Sequence, residues 1–281
     1  MNKKGKLYLV ATPIGNLDDI TIRAIKVLQN VDLIAAEDTR HSLKLLNHLE
    51  ISKPLISYHR HNEENKTEVL INKLLNGENI ALITDAGTPA ISDPGEEVVK
   101  QAIEKEIEII PIPGACALIN ALICSGINTR EFAFYGFLPL NKKLRKNKFE
   151  EIKKENKTII LYEAPHKINQ TLKDILQEVG DVNIVLAREL TKIHEEFIRG
   201  KISEIIEKYT DLKGEMIIVL EGNKFDNSTD KLTELLNNMS IEEHYNYYKK
   251  QNLEKKEIVK KMAKDRNVNK NEIYMKVINF N

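Results

Sequence analysis

The sequence predicts an α/β protein: one α/β domain over 1–125, a second over 126–223, and a linker with a helical tail over 224–281. Three observations predict it. Short apolar runs alternate with helix-period segments through the first 125 residues, the spacing of βαβ units and a mainly parallel sheet. The alternation breaks at a crossing over 128–145, where a strand-like run ends at Pro139 and a lysine-rich segment follows, and then resumes. Past residue 230 the pattern is helical alone. The chain has 281 residues, 42% hydrophobic and 30% charged. That is too apolar for a disordered chain and long enough for two cores.

In the first domain the strand-like runs are KLYLVA (6–11), DLIAA (32–36), LISY (55–58), NIALIT (79–84) and IEIIPIP (107–113). They are almost continuously apolar, as strands covered on both faces are. Helix-period segments occupy 20–29, 42–49, 63–76, 94–105 and 115–125. FAFYGFLP (132–139) is a strand ended by Pro139, followed by a lysine-rich stretch. The second alternation runs through TIILYEAP (158–165), a helix near 166–179, NIVLARE (183–189), EEFIRGK (195–201) and EMIIVLEG (215–222), with a mixed sheet expected. NKFDNSTD (223–230) is polar and turn-rich and reads as a linker. The tail reads as helix, short polar turn, helix, with Asn269 as an N-cap before Glu272. It resembles a small helix-turn-helix unit.

Lys+Arg and Asp+Glu number 42 each, so the net charge is zero and no protein-wide field attracts RNA or a membrane. The zero hides a separation. Residues 141–157 carry eight basic and three acidic residues, a net of +5. Residues 249–270 carry nine and three, a net of +6, and the remaining residues sum to −11. Each run is either a solvated helix face or a backbone-binding patch for nucleic acid. The two cysteines, Cys116 and Cys124, form no CxxC and read as small packing residues in a reducing compartment. The apolar run near the N-terminus is too short for a signal peptide or a membrane span. A cytoplasmic protein is expected, and nothing in the sequence requires a metal.

Ligands of open α/β sheets collect at the carboxyl ends of the strands. Five such ends deliver polar or Gly/Pro-rich loops here: ATPIGN (11–16), EDTRHS (37–42), YHRHNE (58–63), TDAGTPAISDPG (84–95) and PIPGACA (111–117). Neither G-x-x-x-x-G-K-[ST] nor a G-x-G-x-x-G after the first strand occurs, which disfavours a P-loop and a standard dinucleotide site. In EDTRHS, Thr39 or Ser42 is positioned to cap the next helix, and Arg40 to hold a phosphate in a fork. Glu37 and Asp38 read equally as dipole-compensating acids of that helix start. His59 and His61 add to this edge, although their local spacing is weak for a metal. Tyr162–Glu163 and Arg188–Glu189 follow strands of the second domain, as site residues or as surface ion pairs.

The strings LVATPIGNLDDIT, AEDTRHSLKLLNH, SYHRHNE, ITDAGTPAISDPG, IPIPGACAL, YGFLP, YEAPHKI, ARELTKIHEEFIRG and GEMIIVLEG, in this order over 7–222, resemble the tetrapyrrole-methylase superfamily. Within it they resemble the branch of 16S rRNA (cytidine-2′-O)-methyltransferases, and the tail is similar to that branch's C-terminal extension. The resemblance implies a homodimer of chains with S-adenosylmethionine in the cleft between two α/β domains. It implies cofactor contacts from Pro13, Gly15, Asp85, Gly87, Thr88, Ile91, Ala115, Cys116, Ala117, Tyr162, Glu163 and Met216. Ala90 and Arg60 stand where the family varies, and Ala90 is expected only to tune loop packing. The implied reaction places a methyl group on the ribose 2′-oxygen of a cytidine, usually numbered 1402, in 16S rRNA of the small subunit.

A ribose hydroxyl needs a proton acceptor. Glu163, Glu189, Glu37, Asp38 and His59 are the candidates, and sequence does not choose among them. Candidate RNA contacts are Arg40, His41, Arg60 and Arg188, Lys142, Lys143 and Arg145 in the first basic run, and Lys255, Lys256, Lys260 and Lys261 in the second. Two other readings stay open: a methyltransferase of this fold acting on a tetrapyrrole or other small molecule, and a noncatalytic RNA- or ribosome-binding protein.

Overall fold

The computed structural model describes residues 3–210, 212–222, 235–251, 253–266 and 268–280. The chain divides into two compact units, 1–222 and 223–281. The first unit contains two five-stranded sheets. The predicted linker at 223–230 lies outside the described residues.

The first sheet has the order β3-β2-β4-β1-β5 and is parallel throughout. Its strands are β1 (Lys6–Val10), β2 (Leu33–Ala36), β3 (Leu55–Ser57), β4 (Ile80–Ile83) and β5 (Glu108–Ile112). The helices between them are α1 (Ile22–Asn30), α2 (Thr39–His48), α3 (Glu63–Leu75) and α4 (Glu96–Glu104), with α5 (Ala117–Ile123) after β5. Every residue of β2 and β4 is buried, which explains their unbroken apolar runs. The strand order reverses between β1 and β4, the switch point where α/β sheets bind ligands. There the two departing loops are tied together. Thr12 and Gly87 exchange backbone hydrogen bonds of 2.9 and 3.1 Å.

The second sheet has the order β6-β7-β10-β8-β9, made of β6 (Phe132–Phe137), β7 (Thr158–Glu163), β8 (Asn183–Arg188), β9 (Glu196–Lys201) and β10 (Met216–Leu220). β6 and β7 are parallel and the other pairs antiparallel, the mixed sheet the sequence predicts. Its helices are α6 (Lys142–Ile152), α7 (Ile168–Glu178) and α8 (Ile202–Lys208). An apolar cluster joins the two halves: Ile14, Leu118 and Leu122 pack with Ile160, Val185, Leu190, Ile217 and Val219. Gly15 is required for this approach, because a Cβ there would lie 2.6 Å from Lys192 Cγ and 2.7 Å from Thr191 Oγ1.

The second unit packs α9 (Ile241–Lys249), α10 (Lys255–Asp265) and α11 (Lys270–Val277) around Tyr245, Ile258, Met262, Ile273 and Val277. Asn269 caps α11 as expected, accepting the Asn271 N–H at 3.0 Å. Among the described residues no helix is long and apolar enough to cross a membrane.

Three local expectations are corrected. Asp38 caps α2, in place of Thr39 or Ser42, because its carboxylate accepts the Arg40 backbone N–H at 2.9 Å. Cys124 is exposed, since it falls at the C-cap of the short helix α5. Ala90 does more than tune packing, for it holds a left-handed backbone at φ 65°.

Candidate functional site

A cavity of about 470 Å³ opens at the switch point and is walled by both halves of the first unit. From the β1 loop comes Ile14, from the β2 loop Glu37, and from the β4 loop Asp85, Gly87, Thr88, Ile91 and Asp93. Cys116 and Ala117 come from the start of α5. Tyr162 and Glu163 come from the end of β7, and Met216 and Ile217 from the start of β10. Nine of the residues implied by the family resemblance therefore meet here: Asp85, Gly87, Thr88, Ile91, Cys116, Ala117, Tyr162, Glu163 and Met216. Pro13, Gly15 and Ala115 do not line it. Ala115 holds the wall instead, its carbonyl accepting Thr88 Oγ1–H at 3.1 Å.

The cavity's charge is one-sided. Among the described residues Glu37, Asp85, Asp93, Glu163 and Glu215 line it, and no Lys, Arg or His does. Burial, and then repulsion from Asp85, raises the Glu37 pKa. Burial, and then the charge of Glu37, pushes Asp93 up to about 6. Burial pushes the Tyr162 phenol up to about 12. Its ring stacks edge-on with Phe134 and Phe137 at 4.9 and 5.6 Å between centroids.

The loop carrying Asp93 is held in an uncommon shape. Ala90 and Ser92 have φ of 65° and 66°, and Pro94 follows Asp93. Such strain persists only where the surroundings over-determine it. Arg60 donates to the Ser92 carbonyl. Ser92 also sits against β6 at its register shift, where Gly136 has φ 62° and an added Cβ would meet Ser92 Oγ at 3.3 Å.

Glu163 is buried, and both of its oxygens are occupied. Oε1 accepts the Ala164 N–H at 2.8 Å, and Oε2 accepts Thr171 Oγ1–H at 2.5 Å. Thr171 Oγ1 accepts in turn from Arg145 Nη2 at 2.8 Å, while Arg145 Nε donates to Asp174 at 2.9 Å. Arg145, read from sequence as an RNA contact, is thus turned inward against α7.

Other predicted residues also have internal partners. Asp38 and Arg40 form a fork, Nε–Oδ1 3.1 Å and Nη2–Oδ2 2.8 Å, which holds the Asp38 carboxyl well below its usual range. Glu189 lies outside the cavity. Burial alone would raise its pKa, but the Glu215 N–H and Lys192 outweigh it and hold the carboxyl low. His59 also lies outside the lining, and its Nδ1 is buried without a hydrogen-bond partner among the described residues. Arg188 pairs with Glu196 at 3.2 Å and donates to the Lys213 carbonyl at 3.4 Å. Lys255 closes the end of its unit by donating to the Ile278 and Phe280 carbonyls at 3.0 and 2.7 Å. Arg40, His41, Arg60, Lys142, Lys143, Lys256, Lys260 and Lys261 remain exposed. Asp93 and Glu215 are the acidic lining residues that sequence reasoning did not single out, although Asp93 lies within the quoted loop TDAGTPAISDPG.

The sequence profile of the Tetrapyrrole (Corrin/Porphyrin) Methylases matches residues 6–206. The chain belongs to the tetrapyrrole methylase family. The family expectation drawn from the sequence strings is borne out, and the chain is a methyltransferase. It is 47% identical over 273 residues to "Ribosomal RNA small subunit methyltransferase I" of Halalkalibacterium halodurans, covering 96% of this chain and 94% of that one. It is 47% identical over 272 residues to the protein of the same name from Bacillus subtilis, covering 96% and 93%. Among solved tetrapyrrole methylase folds it resembles diphthine synthase, with a TM-score of 0.62 at 13% identity over 77% of this chain and 90% of that one. It also resembles uroporphyrin III C-methyl transferase from Thermus thermophilus, with a TM-score of 0.56 at 14% identity over 77% and 97%. At these identities the likeness concerns the fold.

Proposed function

We propose that this tetrapyrrole methylase transfers the methyl group of S-adenosylmethionine to the ribose 2′-oxygen of a cytidine in 16S rRNA, the one usually numbered 1402 at the decoding centre. The observation that carries this reading is a cavity lined, among the described residues, by five acidic residues and no basic one. Such a lining favours a cation and repels a polycarboxylate. A tetrapyrrole precursor, rich in carboxylates, is the wrong charge for it. The names of the relatives at 47% identity supply the RNA class.

The residues present fit the donor. Tyr162, Met216, Ile217 and Leu190 offer an apolar slot for a purine, and Thr88 a polar edge. Glu37, Asp85 and Asp93 face positive charge. S-adenosylmethionine supplies an activated methyl on a sulfonium. The protein's part is alignment, exclusion of water by the aromatic wall, and acceptance of the hydroxyl proton. Exposed Arg40 and His41 stand in the first turn of α2, and exposed Arg60 on the loop after β3. Together with Lys142, Lys143, Lys256, Lys260 and Lys261 they are the proposed contacts to RNA phosphates. A cytoplasmic homodimer is part of the same reading, and a sedimentation mass near 32 kDa would count against the dimer.

Labelled S-adenosylmethionine and small subunits lacking the modification test the proposal. Label should enter 16S rRNA at one ribose. Label in a small molecule, or no transfer to any RNA, would overturn the substrate. Calorimetry without binding of S-adenosylmethionine would favour a noncatalytic RNA binder.

A further inference from the structure

Among the described residues the cavity is lined by five carboxyl side chains, and their hydrogen bonds separate their tasks. Glu163 has both oxygens committed, to Ala164 N–H and to Thr171 Oγ1–H. Asp85 Oδ1 accepts the Asp38 backbone N–H at 3.1 Å. Glu37 interacts with the backbone N–H of Asp85. Glu215 is largely exposed and paired with Lys192 at 3.0 Å. Asp93 has no hydrogen-bond partner among the described residues, lines the cavity and is half-buried. An oxygen that already accepts an N–H or O–H is turned toward that donor and away from an incoming hydroxyl. Among the described residues, Asp93 is the lining carboxyl whose two oxygens both stay open, and Glu37, although its pKa is also raised by burial and by Asp85, is tied to the Asp85 N–H.

Its placement is also fixed from behind. Left-handed Ala90 and Ser92 precede it, and Pro94 restrains its own backbone to extended conformations. Arg60 holds the Ser92 carbonyl, and Ser92 rests on the Gly136 bulge of the second sheet. We propose that Asp93 is a catalytic residue, the general base that receives the proton of the hydroxyl being methylated. This rests on the methyl-transfer reading of the cavity.

In the step, the acceptor oxygen forms the new O–CH₃ bond and loses its proton. The sulfonium S–CH₃ bond breaks, and its electron pair returns to sulfur. The proton passes to the Asp93 carboxylate, which later releases it to water. The groups facing Asp93 are Glu37, Asp85 and Arg60 from the first half and Tyr162 from the second. Burial and the two acids leave Asp93 half-protonated near pH 6, so it is ionised yet basic at neutral pH.

The test uses the full chain, S-adenosylmethionine and small subunits lacking the modification. Asp93→Asn should lower kcat by about 10²- to 10⁴-fold, the usual worth of a positioned base. KM for the RNA should be unchanged. Calorimetric affinity for S-adenosylhomocysteine should stay within about threefold, because the Asn side chain keeps the shape of the site. Asp93→Glu should restore part of the rate. A carbon-detected titration of ¹³C-labelled aspartate carboxyls should show one signal with a midpoint near pH 6, absent from Asp93→Asn. Wild-type activity in Asp93→Asn, or a parallel loss of S-adenosylhomocysteine binding, would overturn the assignment. If Asp93→Asn does not fold, Asp93→Ser carries the same comparison. A wild-type enzyme that methylates no RNA would sink the function reading itself, a different outcome from an active variant.

Discussion

The cavity and the basic segment of α6 belong to one folded unit, yet they treat charge in opposite ways. The cavity gathers carboxylates from separate segments, half-buries Glu37, Asp85 and Asp93, and raises the pKa of Glu37 and Asp93. Around α6, eight basic residues against three acidic ones are spread along 17 positions, mostly exposed. Concentrated and desolvated charge selects a ligand, whereas spread and solvated charge attracts a polyanion without fixing it. Arg145 crosses between the regimes. It belongs to the basic run by sequence and to the Glu163 support by structure.

The largest effect is expected in the cavity. Asp85→Ala removes a carboxylate from the lining and the acceptor for the Asp38 N–H. Losing a charged hydrogen-bond partner of this kind costs about 1.5–3 kcal/mol. Affinity for S-adenosylmethionine by calorimetry should fall about 10- to 100-fold. An unchanged affinity would remove Asp85 from the binding site.

Next comes the support behind Glu163. Thr171→Val keeps the volume but deprives Glu163 of a donor and Arg145 of an acceptor. Urea denaturation should register a loss of about 1–3 kcal/mol. Arg145→Ala should destabilise through the same contacts and through its loss from the Phe149 ring, 5.4 Å away. If Arg145→Ala instead left stability untouched and weakened RNA binding, the inward assignment would be wrong and Arg145 would rejoin the surface patch.

The surface lysines should behave in the opposite manner. Lys142→Gln with Lys143→Gln removes two exposed charges from the first turn of α6. Stability should move by less than about 0.5 kcal/mol. The slope of log binding constant against log salt should lose about 1.4 units, at about 0.7 per phosphate contact on single-stranded RNA. A slope that does not move would mean that this segment is only a solvated helix face.

These contrasts explain what the sequence could show. The strands were legible because burial on both faces leaves continuous apolar runs, as in β4 and β10. Helix α8 was not, since its seven residues follow β9 without a turn signal. Glu37 and Asp85 were readable as residues at the carboxyl ends of strands, a rule that depends on topology alone, whereas Met216, at the start of β10, came only from the family resemblance. Asp93 was hidden because it sits eight positions beyond Asp85 and reaches the cavity through a backbone with two left-handed residues, which no periodicity reports. Arg145 and Lys255 were misread for a related reason. A basic run shows charge density, but the partners that turn one member inward, Thr171 and the Ile278 carbonyl, lie 26 and 23 residues away.

The smallest expected effect is a pH dependence whose sign differs between the two units. Asp93 ionises near pH 6 in the folded chain and near pH 4 when unfolded. Between those values the folded state binds more protons, so this group makes the first unit more stable as pH falls from 7 toward 5. Glu37, also raised, acts in the same direction. In the helical unit burial lowers the pKa of His244, against the pull of Asp265 at 3.2 Å. There the unfolded state binds more protons, so stability falls as pH drops through about 6.5. Thermal unfolding at pH 5.5 and 7.5, followed by one probe in each unit, should therefore show shifts of opposite sign. Asp93→Asn should remove most of the first shift and leave the second intact. S-adenosylmethionine should also flatten the first, because a bound cation offsets the repulsion among Glu37, Asp85 and Asp93. If both units shifted in the same direction, or if Asp93→Asn left the first shift in place, the acid cluster would not be the source of the strain assigned to it.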